Sequence, residues 1–200
     1  FRSELIQTGA GIRRTHWMMQ KDAGIAHIPV NDFAFYDQML DMTALLGAVP
    51  ARYRWSGETV DMATYFAMAR GNATTPAMEM TKWFDTNYHY IVPELYQDQK
   101  FALSSTKIFD ELKEAKALGI NGCPVIMGPI SFLLLGKVKT EGLKAISLLD
   151  SLLPVYVELL QKLQLEGATQ VQIDEPCLVL DLDKEVLAAY KKAYAQLAEA

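Results

Sequence analysis

The stretch from Pro124 to Pro129 reads PVIMGP, an apolar run that ends in a Gly-Pro pair. A short apolar run bounded by turn residues is consistent with a fully buried strand. Further strands are predicted at residues 25–30, 87–92 and 169–176, with helical periodicity between them. This alternation of strands and helices, with buried and nearly all-apolar strands, predicts a parallel sheet with right-handed crossovers.

Helices are predicted where apolar residues recur every three or four positions. The predicted segments are residues 12–23, 36–46, 61–69, 105–118, 143–165 and 184–200. The pair Asn31-Asp32, directly after a strand, predicts the N-cap of the next helix. Pro154 falls inside the longest segment and predicts a kink there.

Polar residues recur just past the predicted strands, at Asn31-Asp32, Ser131 and Asp174-Glu175. In a (β/α)8 barrel, the face at the carboxyl ends of the strands carries the chemistry. A full barrel has eight strands and typically about 250 residues, whereas this chain offers four or five strands. The predicted fold is therefore α/β, an incomplete (β/α)8 barrel of about half to two-thirds, in one domain spanning residues 1–200.

Composition narrows the classes of function. The chain has 200 residues, of which 50% are hydrophobic and 22% charged, as in a globular domain with a substantial core. The net charge of −5 argues against a nucleic-acid partner, and no apolar run reaches the ~18 residues that span a membrane. Two cysteines are too few for a disulfide framework, so a cytoplasmic location is expected. Because the chain begins on Phe1, we expect either a piece of a longer protein or a trimmed terminus.

A second distinctive stretch, residues 80–95, reads MTKWFDTNYHYIVPEL. If residues 87–92 form a strand, alternation places Asn87 and His89 on the inward face, and the tyrosines of the other face pack between sheet and helix. Inward polar groups need partners, and near a barrel mouth they are candidates for binding a ligand. Lys82 precedes them and offers three donors and a charge to a carboxylate, although a solvated loop lysine is the commoner case.

Acidic residues complete the candidate pocket. Asp174 and Glu175 are adjacent on a strand and point to opposite faces, so they are not a matched acid–base pair. One of them can reach a ligand at the mouth, and a role in a helix cap or an ion pair is an equal alternative. The predicted pocket residues are Asp32, Asn87, His89, Asp174 and Glu175. The three histidines and two cysteines show none of the short spacings typical of zinc sites, so no metal site is predicted.

Several ordered motifs resemble the cobalamin-independent methionine synthase family. They are residues 20–25, 28–37, 46–52, 80–95, 128–139 and 171–176. The motifs are long, keep their order and cover nearly the whole chain, so the resemblance is specific.

The resemblance implies a longer chain with two (β/α)8 barrels facing each other, of which this chain is part of the N-terminal one. The zinc-containing C-terminal barrel would be absent. In that barrel, zinc lowers the thiol pKa of homocysteine, and the thiolate attacks the methyl group of 5-methyltetrahydrofolate to give methionine. The chain alone would then carry no catalytic residue, bind no zinc and be inactive.

Lys82 matches the lysine with which the family contacts the methylfolate substrate, and a polyglutamate tail is a run of carboxylates. The family's Arg-Glu-Leu-Lys segment is not found, since Arg2 to Leu5 lacks the preceding strand. A chain that lacks half of its barrel would expose parallel strand edges, which predicts self-association or dependence on the missing half. The alternatives are a stand-alone module that binds polyglutamylated folate and a (β/α)8 glycosidase. The glycosidase would use Glu79, Glu94 or Glu175, with an inward carboxylate pair about 5–9.5 Å apart.

Overall fold

The computed structural model describes residues 2–200. The α-helices are α1 Arg2–Asp22, α2 Gln38–Leu45, α3 Met62–Arg70, α4 Lys107–Ala117, α5 Pro129–Leu134, α6 Leu149–Leu165 and α7 Lys184–Leu197. The strands are β1 Ile28–Val30, β2 Met80–Lys82, β3 His89–Ile91, β4 Glu94–Leu95, β5 Gly122–Met127, β6 Lys137–Val138 and β7 Gln172–Asp174. Short 3-10 turns occupy Ala51–Tyr53, Ala145–Leu148 and Pro176–Val179.

Three strands form a parallel sheet in the order β1-β5-β7. Ile28 pairs with Gly122, and Met127 pairs with Asp174. In the chain, helix α4 lies between β1 and β5, and helix α6 lies between β5 and β7. A helix therefore connects each strand to the strand that lies beside it in the sheet. The predicted α/β class with parallel strands is confirmed. Within residues 2–200 the sheet does not close into a barrel, and it holds three strands rather than the predicted four or five.

The predicted strand at residues 87–92 is the largest difference from the sequence analysis. Its central part, β3, pairs antiparallel with β2, so that Met80 faces Ile91 and Lys82 faces His89. It is therefore one arm of a hairpin and does not belong to the parallel sheet. Period-2 alternation is the same for parallel and antiparallel strands, so the sequence pattern alone could not separate them.

Long connections leave the carboxyl ends of β1 and β5. Residues 31–106 separate β1 from α4, and residues 128–148 separate β5 from α6. The two connections are joined where β4 pairs in parallel with β6. Tyr90 also donates a hydrogen bond from its hydroxyl to the carbonyl of Leu135, at 2.9 Å. The hairpin, which is part of the first connection, is thus also bonded to the second connection.

Most helix boundaries agree with the predicted segments. The N-cap residue of α2 differs from the predicted one. The Asp37 carboxylate, rather than Asn31 or Asp32, accepts hydrogen bonds from the first amides of α2. Asn31 adopts a left-handed backbone conformation, with φ of 69°, and its side-chain amide donates to the Val125 carbonyl at 3.0 Å. It therefore ties β1 to β5 instead of starting a helix. The first helix is also longer than predicted, because α1 begins at Arg2.

The main core lies between the parallel sheet and the helices around it. Its fully buried side chains include Trp17, Phe132 and Tyr156, each no more than 1% exposed. A smaller apolar cluster lies between α2, α3 and β3, with Leu40, Met68 and Ile91 at its centre. Burial of such side chains is worth roughly 1.5–3 kcal/mol each, so both clusters help to hold the long connections in place.

Candidate functional site

Lys82 lies at the end of β2 in a hairpin that we call the Lys82 hairpin, residues 80–91. Its turn is closed by a hydrogen bond from the Trp83 amide to the Tyr88 carbonyl at 2.7 Å. The Thr86 hydroxyl donates to the Trp83 carbonyl at 2.6 Å, and Phe84 has a positive φ of 51°. Lys82 itself is exposed, and no ion pair to its ammonium group is found among residues 2–200.

Aromatic rings pack together at the base of the turn. The Trp83 ring packs edge-to-face on the rings of Phe84, Tyr88 and Tyr90, with centroid distances of 5.3, 6.4 and 5.5 Å. Tyr90 is only 5% exposed, which confirms the predicted packing of this tyrosine, whereas the same prediction is wrong for Tyr88, whose exposed fraction is 44%. The lysine is therefore an exposed cation next to an ordered aromatic cluster.

The prediction that Asn87 and His89 face inward is wrong. Both residues are exposed, and the nearest recorded contact of the His89 ring is from Nδ1 to the Asn87 carbonyl, at 2.9 Å. The alternation itself holds, because Tyr90 packs in the main core and Ile91 in the smaller cluster. Asn87 and His89 are exposed because the hairpin extends beyond both clusters at its turn.

Asp32 and Asp174 do come together. They line a cavity of about 240 Å³ at the carboxyl ends of the three parallel strands, together with Asn31, Asp41 and Gln172. The Gln172 side chain donates to Asp174 at 2.9 Å. In the part of the chain that the structure describes, neither Lys82 nor the other two predicted pocket residues of the hairpin line this cavity. The predicted pocket is thus divided between the sheet end and the Lys82 hairpin.

Glu175 has the helix-cap role that the sequence analysis gave as the alternative. Its two carboxylate oxygens accept from the amides of Ile130 and Ser131, at 3.2 and 2.7 Å, at the N-terminus of α5. The hydroxyls of Tyr190 and Tyr194 donate to it at 3.3 and 3.0 Å. Burial, and then the Glu175 charge, raise the pKa of both tyrosines. With four donors, this carboxylate is a structural junction between β7, α5 and α7.

Gly128 is required by this junction. A Cβ atom at this position would lie 2.2 Å from the carboxyl carbon of Glu175. Real Cβ atoms do not approach other atoms so closely, so any side chain at position 128 would displace the carboxylate from α5. The Gly-Pro pair that ends the apolar run at residues 124–129 therefore has a packing role as well as a role in ending the strand.

A second polar cluster, between α1, α2 and α4, was not foreseen. The Lys107 ammonium lies 3.0 Å from Asp41 and 3.2 Å from Glu111. The Arg13 guanidinium pairs with Glu111 at 3.4 Å and with Glu114 at 2.6 Å. Burial raises the pKa of Asp41 and of Glu111, and the neighbouring cations only partly offset this effect. The local sequence gives no signal for this cluster, because its members come from three separate helices.

Asp37 is the other functional candidate that the sequence analysis missed. It is 3% exposed, and its two oxygens accept from the amides of Met39, Leu40 and Ile91. Burial raises its pKa to about 6, although these three hydrogen bonds act in the opposite direction. An Asp one residue before a helix is a recognisable cap signal. The contact with Ile91, 54 residues away, has no such signal.

The glutamates of the glycosidase alternative are engaged in ion pairs or caps. The Glu94 carboxylate accepts two bidentate hydrogen bonds from the Arg52 guanidinium, at 2.6 and 2.7 Å, and a third from the Tyr96 hydroxyl. Glu79 pairs with Lys137 at 2.6 Å. These contacts, and the four donors around Glu175, favour structural roles for all three carboxylates.

Two further findings concern residues 2–200. They contain no group of three or more His, Cys, Asp and Glu side chains arranged to hold a metal ion. None of the helices in this range combines the length and the apolar character needed to cross a membrane.

A protein-family model described as "Cobalamin-independent synthase, N-terminal domain" matches residues 1–200. A 5-methyltetrahydropteroyltriglutamate–homocysteine methyltransferase from Oryza sativa subsp. japonica is 54% identical over 98% of this chain and 26% of its own length. The enzyme of that name from Salinibacter ruber is 52% identical over 100% of this chain and 27% of its own length. The chain thus spans about a quarter of the length of these curated relatives.

Proposed function

Because this chain belongs to the cobalamin-independent synthase family, as its N-terminal domain, we propose that it is part of a methyltransferase. The relatives carry names that imply methyl transfer from 5-methyltetrahydropteroyltriglutamate to homocysteine, which yields methionine. The observation that carries the proposal is the match over the whole chain at about half identity. The domain contributes scaffold and substrate contacts, and it contributes no catalytic residue.

The substrate contact that we propose is between Lys82 and the glutamate tail of the methylfolate. Lys82 is exposed on an ordered hairpin, and among residues 2–200 its ammonium has no carboxylate partner to compete with a ligand. A lysine presents a mobile point charge with three donors, which suits a run of carboxylates. The other predicted pocket residues are Asp32, Asn87, His89, Asp174 and Glu175. Three of these are acids, which makes them poor partners for an anionic tail.

Zinc and homocysteine are proposed to bind outside residues 1–200. The described residues do not fit a zinc site, since no group of three potential ligands is found among them. No step of the reaction through zinc is therefore assigned to this chain. The cytoplasmic location expected from the sequence stays a prediction.

We also propose that the β1-β5-β7 sheet is a segment of a (β/α)8 barrel. Its strands follow one another in chain order, and polar residues cluster at their carboxyl ends, as in such barrels. Among the residues that the structure describes, 2–200, β1 and β7 each have one partner strand within the sheet. Such edges favour self-association, which light scattering on the isolated chain would detect. A stable monomer at high concentration would contradict this expectation.

The tail contact is tested by replacing Lys82 with alanine in the native protein that contains this chain. Calorimetric titration with the triglutamate and monoglutamate forms of 5-methyltetrahydrofolate separates tail contacts from contacts to the rest of the substrate. We expect the Kd for the triglutamate form to rise about tenfold, since loss of about 1.4 kcal/mol corresponds to that factor. The Kd for the monoglutamate form should change much less.

Lys191→Ala is the matched control, because Lys191 is an exposed lysine on α7, outside the hairpin. Equal affinities of parent and Lys82→Ala protein for the triglutamate form would remove Lys82 from the site. The same titration on the isolated 200-residue chain tests the stand-alone module, which requires binding without any further domain.

A further inference from the structure

Both carboxylate oxygens of Asp37 are used, and they serve different elements. Oδ1 accepts from the amides of Met39 and Leu40, at 2.7 and 3.0 Å, and so caps α2. Oδ2 accepts from the amide of Ile91 in β3, at 3.0 Å. A single buried side chain thus connects the N-terminus of α2 to the Lys82 hairpin.

The contact is made on the open edge of β3. In an antiparallel pair, alternate amides of a strand point towards the partner and away from it. The Val92 amide donates to the Glu79 carbonyl of the β2 side, at 2.8 Å, whereas the Ile91 amide points the other way, to Asp37. The carboxylate therefore occupies the place that a third strand would take. Ile91 is two residues from His89, which pairs with Lys82.

A helix cap alone does not explain this arrangement. Asp61 and Asp183 also cap helices, each with one oxygen on one amide, at Thr64 and at Val186. Both of these caps are exposed, so they keep their hydration. Asp37 is 3% exposed, and burial of a charge is costly unless hydrogen bonds compensate. Its second oxygen offsets part of that cost through β3.

We propose that Asp37 is a positioning residue, which holds the Lys82 hairpin on α2 so that Lys82 meets the tail of the substrate. This inference rests on the proposed function of Lys82. Helix α2 packs on both β3 and β5, so it relates the hairpin to the parallel sheet. Loss of the bridge frees the outer edge of β3 while the aromatic turn stays intact, and Lys82 then samples more positions.

The test compares Asp37→Asn with Asp61→Asn in the native protein that contains this chain. Asparagine is a good N-cap, so it preserves the end of α2, but its NH₂ group then faces the Ile91 amide, where two donors cannot bond. Asp61→Asn alters a helix cap whose carboxylate does not connect the helix to a strand. Asp37→Ser is the second variant, because serine also caps a helix but is too short to reach β3.

Two readouts are combined. Hydrogen exchange should become faster by about tenfold in peptides that cover residues 80–91 of the Asp37 variants, and should stay unchanged there in Asp61→Asn. The KM for the triglutamate substrate should rise about fivefold with kcat nearly unchanged, and the KM for the monoglutamate form should change little. In a Lys82→Ala background, Asp37→Asn should have no further effect on KM.

The outcomes separate this inference from the proposed function. If Lys82→Ala weakens tail binding but the Asp37 variants change neither exchange nor KM, Asp37 is not a positioning residue. The same holds if Asp37→Asn raises the KM equally in the parent and in Lys82→Ala. If Lys82→Ala itself has no effect, the proposed function fails, and faster exchange in the Asp37 variants would then show only that the bridge is structural.

Discussion

The sheet end and the Lys82 hairpin are both held by a carboxylate that caps a helix, but the two carboxylates differ in where their donors lie. At the sheet end, Glu175 has four donors, and the Gly128 amide also donates to the Asp174 carbonyl at 2.7 Å. At the hairpin, Asp37 has three donors, of which only the Ile91 amide belongs to the hairpin itself. All the donors to Glu175 thus come from helices α5 and α7 of the scaffold, whereas the proposed binding element is joined to Asp37 by one amide and otherwise by the packing and hydrogen bond of Tyr90 and the packing of Ile91.

The largest effect is expected from crowding the sheet-end junction. Gly128→Ala places a methyl group 2.2 Å from the Glu175 carboxyl carbon, which forces the carboxylate away from α5. We expect a loss of about 3 kcal/mol in the free energy of unfolding, measured by urea denaturation. Gly11→Ala in α1 is the control, because a Cβ there meets nothing within 4 Å and alanine favours a helix. Equal free energies of unfolding for Gly128→Ala and the parent would show that the Glu175 side chain can move aside without loss of stability.

A smaller effect is expected from the pH dependence of the hairpin bridge. Burial raises the folded-state pKa of Asp37 from 3.8 to about 6, so the folded protein holds this proton more tightly than the unfolded chain does. The free energy of unfolding should therefore fall as the pH rises from about 4 to about 6, by at most about 3 kcal/mol. Urea denaturation at a series of pH values measures this slope.

Other titrating groups lie near Asp37, so its share of the pH dependence has to be measured as the difference between the parent protein and a variant without the Asp37 carboxylate. Asp41 on α2 is also acidic and also has a raised pKa, and the hydroxyls of Tyr65, Tyr88 and Tyr90 share the field of Asp37. The tyrosines titrate well above this range. Asp37→Asn should remove its own share of the slope and leave that of Asp41. A slope identical in parent and variant would mean that Asp37 does not titrate with a raised pKa.

The smallest of the three effects concerns the second attachment of the hairpin. Tyr90→Phe removes the hydrogen bond from the Tyr90 hydroxyl to the Leu135 carbonyl but keeps the ring in the core. We expect a loss of about 1 kcal/mol, because this is the usual net contribution of one hydrogen bond. Tyr36→Phe is the control, since Tyr36 packs against the smaller cluster and no hydrogen bond from its hydroxyl is recorded within residues 2–200. A loss several times larger would show that the hairpin has fewer attachments than the structure indicates.

Much of the fold was predictable from local patterns. The apolar runs at residues 25–30 and 124–127 predicted strands β1 and β5, and period-3.6 patterns predicted most helices. The pairing of residues 87–92 was predicted wrongly, because alternation carries no information on the direction of the partner strand. The cap of α2 was also misplaced, because Asn31 and Asp32 satisfy the same compositional rule as Asp37.

The candidate site was only partly predictable. Lys82 was predicted as a substrate contact only through the resemblance of its motif to a known family, since an exposed lysine has no periodic signal of its own, and this role stays a prediction. Asp32 and Asp174 were expected at one end of the sheet, and they line the same cavity there. Asn87 and His89 were misplaced because alternation describes which side of a strand a residue occupies, and it does not describe how far the strand extends beyond the core.

The order of predicted strands and helices determined the α/β class with parallel strands, although it did not determine which strands pair in parallel. The family was indicated by the resemblance of the ordered motifs. Only the tertiary structure decided which groups each carboxylate binds. Glu175 meets residues 15 to 45 positions away, and Asp37 meets an amide 54 positions away. The type of a side chain determines which bonds it is able to make, but its partners depend on how distant segments pack. That packing places the Ile91 amide of the hairpin within hydrogen-bond distance of Asp37.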